Sequence, residues 1–470
     1  MPMFIRPQLL ALVMSASIAP ALMAQTTITD DGLVIESVQA RTMGFADALS
    51  LAKQNDPELK YAYHSYKAEQ EADDISRANL LPNISLSSSY RYSNVDDYYT
   101  RYKSDVDSDN SDYERSRENQ HDYSYQLNLQ QSLVNVSAWK AYSSAKEAVR
   151  QSQFSYNRAE QELIYRLSEA YLKTLLAAQR VYITQEKLES LQLKLDQTTR
   201  MNELGVGDRL NVLRARSSRD VAKSDLLQAK VLLDDAQTAL ENITGQMINM
   251  PDAWIKNGHL VLPNLLVGEQ QAWLDQVPDN AQVLAELSNV RAKELESEAS
   301  RAQHLPTLNF QLTYLDRTSD DLFTDSARGI ASLNLEIPIY SGGKTSAQAR
   351  QAEAGRNAAQ VRYEKALSDT RQAVKLAYTQ LNSYHNRLLA LDESRRSGQA
   401  YLEAAERQAD LSLGSQVDVL EARTELYDIR LEFAKTLSDY LLADLNLLLE
   451  TGQLNDAALV RYDQLFDQDS

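Results

Sequence analysis

The sequence predicts a mainly α-helical protein with a small amount of β-strand, built from one structural plan that is used twice. Two proline-free stretches, at about 137–203 and 342–412, are long enough for unusually long helices. Four shorter stretches alternate apolar and polar residues, as amphipathic strands do. The phrases LGVGDRLNVLRAR (204–216) and LGSQVDVLEAR (413–423) resemble each other, which indicates that the plan is duplicated.

The N-terminus has the layout of a secretory signal peptide. An arginine precedes an apolar stretch, and small residues surround Ala21 and Ala24. Because this stretch is too short to span a membrane, we expect residues 1–24 to be removed on export. Residues 25–43 then form an N-terminal extension. An uncleaved anchor or a buried helix, and cleavage after Ala21, are the alternatives.

Composition excludes several classes of protein. The 470 residues carry 48 Lys and Arg against 66 Asp and Glu, a formal charge of −18, which argues against nucleic-acid binding. There is no cysteine, so disulfides, thiolate chemistry and a lipid anchor on a cysteine are excluded. After the signal peptide no run of 18 apolar residues occurs, and we therefore expect no transmembrane helix.

Both halves of the chain follow the same order of elements. The order is helix, Leu-Pro, alternating segment, polar loop, alternating segment, very long helix, Leu-Gly turn and helix. We place the first repeat at 44–250 and the second at 281–452. A proline-, glycine- and tryptophan-containing linker at 251–280 separates them, and an acidic tail follows at 453–470. A period of about 207 residues indicates a duplicated domain, since solenoid repeats are far shorter.

The alternating segments predict four strands, at about 83–92, 122–133, 307–316 and 329–340. A long, acidic, tyrosine-rich loop (93–121) joins the first pair, and a short loop joins the second. The face opposite the apolar one is mostly Ser, Asn, Gln and Thr. A half-buried soluble sheet gives the same alternation, but a polar face of this composition favours the water-filled interior of a barrel.

Four strands are too few to close a membrane barrel. Open edges would leave unpaired backbone groups in hydrocarbon, so a membrane sheet would need other copies of the chain. Two copies would give eight strands and three would give twelve. The strand pattern does not choose between them.

The long helical stretches have the length and spacing of coiled coils. After each Leu-Gly turn, apolar and small residues recur at alternating intervals of three and four. Each repeat therefore forms a long antiparallel helical hairpin. The hairpins turn at tips, at about 204–210 and 413–417.

The duplicated plan, the segment IPIYSGG (337–343) and the twin phrases resemble the TolC-type outer-membrane export channels over about 44–452. The resemblance implies a homotrimer, in which four strands per protomer form a 12-stranded membrane β-barrel and the hairpins form an α-barrel tunnel across the periplasm. The implied partners are a periplasmic adaptor protein, an inner-membrane transporter of the ABC type and outer-membrane lipid. Because it has no cysteine, the chain resembles the unacylated members of the family, which serve type I secretion, more than the lipoprotein members that serve drug efflux.

The resemblance implies passive export through the outer membrane. Within that class, we expect protein secretion by a type I system. Small-molecule efflux is the alternative within the same class, and a periplasmic coiled-coil scaffold is the alternative from another class.

Asp418 and Glu421 are the candidate functional residues that the sequence singles out. Three positions apart, they lie on one helix face, and acids in a first turn stabilise the positive end of the helix dipole. A catalytic carboxylate pair would need a concave pocket, which a coiled-coil tip does not offer. By resemblance to the family, the two residues match an acidic pair at the tunnel entrance and would form a periplasmic gate that selects cations.

The resemblance also implies adaptor docking at the two tips, through Leu204, Gly205, Val206, Leu413, Gly414 and Ser415. The second tip is two residues shorter than the first, Asn211 stands where the family has an aspartate, and Leu411 lies near the place of an expected tyrosine. Five scattered histidines have no metal-ligand spacing. We expect no enzyme activity, no cofactor and no metal.

Overall fold

The computed structural model describes residues 41–42, 44–101, 112–250, 255, 265, 268–319, 326–411, 416–456 and 458. The predicted signal peptide, nearly all of the N-terminal extension, most of the linker and of the acidic tail, and the second-tip residues Leu413, Gly414 and Ser415 lie outside these residues.

The first repeat contains two short helices, two long strands and one long hairpin. After β1 (Arg41–Thr42), its elements are α1 (Phe45–Asn55), α2 (Pro57–Ala78), β2 (Asn83–Arg101), β3 (Asp112–Val134), α3 (Val136–Glu203), α4 (Arg209–Thr244) and β4 (Ile248–Asn249). β1 pairs with β4 in a small parallel ladder.

The second repeat follows the same order after α5 (Gln270–Leu274) and a 3₁₀ turn (Val277–Asp279). Its elements are α6 (Ala281–Ala302), β5 (Thr307–Ser319), β6 (Ser326–Glu336), α7 (Lys344–Asp410) and α8 (Gln416–Glu450). The predicted fold class, a mainly helical chain with duplicated hairpins and four strands, is confirmed.

Capping residues fix where the hairpin helices begin and end. The Asn135 side chain accepts a hydrogen bond from the Ala138 amide at 2.9 Å, which fixes the start of α3. The 68 residues of α3 make it about 100 Å long. α4 begins at the Asp208 cap and ends at Gly245, whose φ of 77° is the left-handed conformation that favours glycine.

The four long strands form one antiparallel sheet in the order β2-β3-β5-β6. The central pairing, β3 with β5, joins the two repeats, and in its register Asn128 lies opposite Thr313. Polar residues share one face, where Thr313 donates to Asn128 at 2.9 Å. The other face is apolar and exposed to solvent in the single chain. β2 and β6 are the edges of the sheet.

The extents of the strands differ from the sequence-based bounds. β2 runs on to Arg101 and β3 begins at Asp112, so most of the predicted loop 93–121 is a paired ladder. β6 ends at Glu336 instead of continuing to residue 340, because Pro338 has no amide hydrogen to donate to a ladder.

The core lies where the middle parts of the long helices meet the short ones. Fully buried side chains there include Leu163, Leu167, Tyr171, Leu381, Leu388, Tyr440, Leu445 and Leu447. α6 packs between α3 and α7, and Ser137 and Ser144 of α3 donate to carbonyl oxygens of α6 at 2.8 Å. None of the helices in the described part of the chain is long and apolar enough to cross a membrane.

Candidate functional site

The first tip is a tight turn that only glycine residues allow. Gly205 has a φ of 76°, and a Cβ on Gly207 would lie 2.7 Å from the backbone nitrogen of Asn202. The turn closes with a hydrogen bond from the Val206 amide to the Met201 carbonyl at 3.0 Å. As a result, the side chains of Leu204 and Val206 are exposed at the end of the hairpin.

The acidic pair lies at the start of α8. Asp418 is in the first turn of this helix and Glu421 is one turn later, and both side chains are exposed. The position of Asp418 favours a negative charge, because the N-terminus of a helix is the positive end of its dipole.

Glu421 lines a groove of about 860 Å³ between α4, α7 and α8. Further acids follow on the same face of α8, at Glu425, Asp428 and Glu432. Opposite them, α4 contributes Arg214, Ser217 and Ser218. The groove therefore has an acidic wall and a wall with no acid.

The structure brings the first tip close to the start of α8. A second cavity of about 320 Å³ is lined by Val206, Gly207 and Asp208 of the tip and by Leu420, the neighbour of Glu421. Among the described residues, no group of three or more His, Cys, Asp or Glu is placed to hold a metal ion.

Polar links join the two hairpins along the seam between α3 and α8. Arg423 donates to the Ser190 hydroxyl at 2.6 Å and also binds Glu406 of α7. Further along the seam, the Arg430 and Glu186 side chains lie 3.4 Å apart, and those of Lys187 and Asp428 lie 3.5 Å apart. No local pattern in the sequence marks these links, since their partners lie on different helices.

Lys194 borders the same seam. Burial, and secondarily the positive charge of Arg423, lower the pKa of its ammonium group. Arginine ends both twin phrases, at Arg216 and Arg423, and this repetition is a sequence signal that could have indicated Arg423.

A family model for outer membrane efflux proteins matches residues 48–246 and 277–453. The chain belongs to the outer membrane efflux protein family. The resemblance seen in the sequence is thereby confirmed, and so is the location in the outer membrane. The family is one of channel proteins, not of enzymes.

Relatives of this family member are similar along most of its length. Outer membrane protein TolC of Salmonella enteritidis is 28% identical over 426 residues, covering 87% of this chain and 82% of the relative. The proteases secretion protein PrtF of Dickeya chrysanthemi is 26% identical over 441 residues, covering 91% and 92%. The solved structure of the outer membrane protein VceC from Vibrio cholerae has the same fold, with a TM-score of 0.71 at 17% identity over 87% of this chain and 96% of that one.

Proposed function

We propose that the protein is a passive channel for type I protein secretion, which spans the outer membrane and the periplasm. It would receive its cargo from an inner-membrane transporter of the ABC type through a periplasmic adaptor protein. The observation that carries the choice of cargo is the similarity to a protease secretion protein, which extends over 91% of this chain and 92% of the relative.

The open edges of the sheet support assembly with further copies of the chain. Inside one chain, β3 of the first repeat pairs with β5 of the second. The duplication relates β3 to β6 and β5 to β2, so the equivalent pairing joins β6 of one copy to β2 of the next. The observed pair Asn128 and Thr313 then predicts that Asn334 lies opposite Ser89 of the neighbour. Three copies give the twelve-stranded barrel of the proposal.

The short helices support the same assembly. Ala285 and Ala299 of α6 are 7% and 6% exposed because α6 packs between α3 and α7. Their equivalents in α2, Tyr61 and Ile75, are 76% and 69% exposed. We infer that α7 of a second copy covers this face of α2, because burying these two side chains would remove a large apolar area from water.

The polar seam is repeated on the outer faces of the hairpins. Glu186 of α3 and Arg430 of α8, which lie 3.4 Å apart, correspond by the duplication to Glu393 of α7 and Lys223 of α4. Both of these equivalents are exposed in the single chain. Their opposite charges suit a contact between copies that mirrors the contact within the chain.

At the periplasmic end, we propose that Asp418 and Glu421 line the entrance and act as its gate and selectivity residues. The tips, with Leu204, Gly205 and Val206 in the first repeat and Leu413, Gly414 and Ser415 in the second, would bind the adaptor. The exposed apolar side chains of Leu204 and Val206 support docking, since a tip that served only as a turn would not need them. We further propose that residues 1–24 are removed and that the two repeats keep the bounds 44–250 and 281–452.

Two measurements test this function. The purified mature protein should form discrete ion-conducting channels in planar bilayers. In a bacterium that lacks its own secretion channel, the chain should restore release of an extracellular protease when the matching adaptor and transporter are present. Channels without restored protease release would contradict the choice of cargo, and an absence of channels would contradict the conduit itself.

Small-molecule efflux is the second candidate, supported by the description of the family as efflux proteins. Retention of a fluorescent dye by the same cells distinguishes the two functions. Lower dye retention without protease release would favour efflux.

A further inference from the structure

The twin phrases place a positive charge where the other repeat has a negative one. Aligning NVLRAR with DVLEAR sets Arg214 against Glu421 and Asn211 against Asp418. The structure supports this alignment, because the next residues, Ala215 and Ala422, are both buried inside their hairpins. Arg214 and Glu421 therefore occupy equivalent positions on α4 and α8.

Both side chains line the same groove of about 860 Å³, and both are exposed. Neither forms an ion pair with another described residue at the distances found along the α3–α8 seam. In contrast, Asp428 and Glu432, further along α8, are paired with Lys187 and Arg387. The unpaired charges of the groove thus include one of each sign at equivalent positions.

We propose that Arg214 is a selectivity residue, so that the entrance is a ring of alternating charge and not a purely acidic ring. This inference rests on the proposed trimeric channel, in which α4 and α8 alternate around the axis. Arg214 halves the net negative charge that Asp418 and Glu421 bring to the entrance.

The consequence concerns the class of substrate. A ring of carboxylates alone concentrates cations and repels anionic groups. A ring in which guanidinium and carboxylate groups alternate gives both signs of charge a nearby partner, so neither sign is excluded from the entrance. This arrangement suits an extended polypeptide, which carries acidic and basic side chains through the same constriction.

The test is the reversal potential of single channels under a gradient of KCl, near 0.1 M salt, where screening extends over about 10 Å. The wild type should be weakly cation-selective. Arg214→Gln should raise the ratio of potassium to chloride permeability at least about twofold, and Glu421→Gln should lower it. The charge swap, Arg214→Glu with Glu421→Arg, should return the ratio close to that of the wild type.

Arg396→Gln is the matched control. Arg396 is an exposed arginine that pairs with Asp392 of its own helix, α7. It lies five residues, or about 140° around the helix, from the groove residue Leu391. This variant loses the same charge and should keep the selectivity of the wild type.

The outcomes separate the inference from the function on which it rests. A wild-type protein that forms no channels would contradict the proposed function. If channels form but Arg214→Gln and Arg396→Gln have the same ion selectivity, the role of Arg214 is wrong and the proposed function still stands. The same holds if the charge swap moves the permeability ratio further from that of the wild type and does not restore it.

Discussion

Replacing Arg423 with glutamine should loosen the seam between the two hairpins of one chain. Its guanidinium group joins three helices, since it sits on α8, donates to Ser190 of α3 and binds Glu406 of α7. Glutamine is too short to keep both contacts and carries no charge. The seam would then depend on the links of Arg430 and Lys187.

The size of the effect follows from the exposure of the groups. The Arg423 and Glu406 side chains are 35% and 40% exposed, so their ion pair contributes only about 0.5 kcal/mol. The hydrogen bond to Ser190 adds about 1 kcal/mol. Opening of the seam should therefore become easier by about 1–1.5 kcal/mol per chain, which is about a five- to twelvefold rise in the open population.

Hydrogen exchange measured by mass spectrometry reports this population. Amides of α3 near Ser190 and of α8 near Arg423 should exchange about five- to twelvefold faster in the variant, because local opening controls their exchange. Arg396→Gln, which breaks only a contact within α7, should leave these amides unchanged. Equal exchange in the two variants would refute the seam as described.

The remaining predictions concern Lys194, the first tip and α2. Because burial, and then Arg423, lower the pKa of Lys194, the pH midpoint of its acylation should lie below that of exposed lysines, as site-resolved mass spectrometry would show. Because the folded pKa lies below the unfolded one, the stability linked to this lysine is complete above the unfolded pKa and falls as the pH drops through the folded pKa. At pH 7 the ammonium group therefore destabilises the fold, and Lys194→Met should slow local hydrogen exchange. Unchanged exchange would argue against a desolvated charge. Gly207→Ala should distort the first tip and weaken adaptor binding in a pull-down. The control Gly44→Ala, where a Cβ would meet nothing within 4 Å, should bind the adaptor normally. Equal adaptor binding by the two variants would contradict docking at this tip. Ile75→Arg should reduce the trimer fraction in native gels, since it puts a charge on the face of α2 that we assign to a second copy. An unchanged trimer fraction would show that a second copy does not cover this face.

Much of the fold follows from periodicity in the sequence. Proline-free length and spacings of three and four predict the hairpins, and alternation predicts the four strands, because both patterns record which face of an element is buried. The extent of β2 and β3 was not predictable. Residues 93–101 and 112–120 are acidic and tyrosine-rich, and their pairing follows from the register of the hairpin and not from their own side chains.

The site was only partly predictable for a similar reason. Asp418 and Glu421 stand out in a repeated phrase, but the phrase does not show that α4 and α8 line one groove, nor that Arg214 lines it together with Glu421. The partners of Arg423 lie 233 positions away on α3 and 17 positions away on α7. Contacts of this kind depend on how the helices pack, which no local pattern records.

The most direct test of the central claim is a disulfide between neighbouring copies. The chain has no cysteine, so Ser89→Cys with Asn334→Cys introduces the only thiols. Oxidation in outer-membrane fractions should give a covalently closed ring of three chains on non-reducing gels. The single variants should give none, and neither should Ser88→Cys with Asn334→Cys, because Ser88 points to the opposite face of its strand. A chain that remains monomeric, or that closes as a ring of two, would contradict a channel built from three copies.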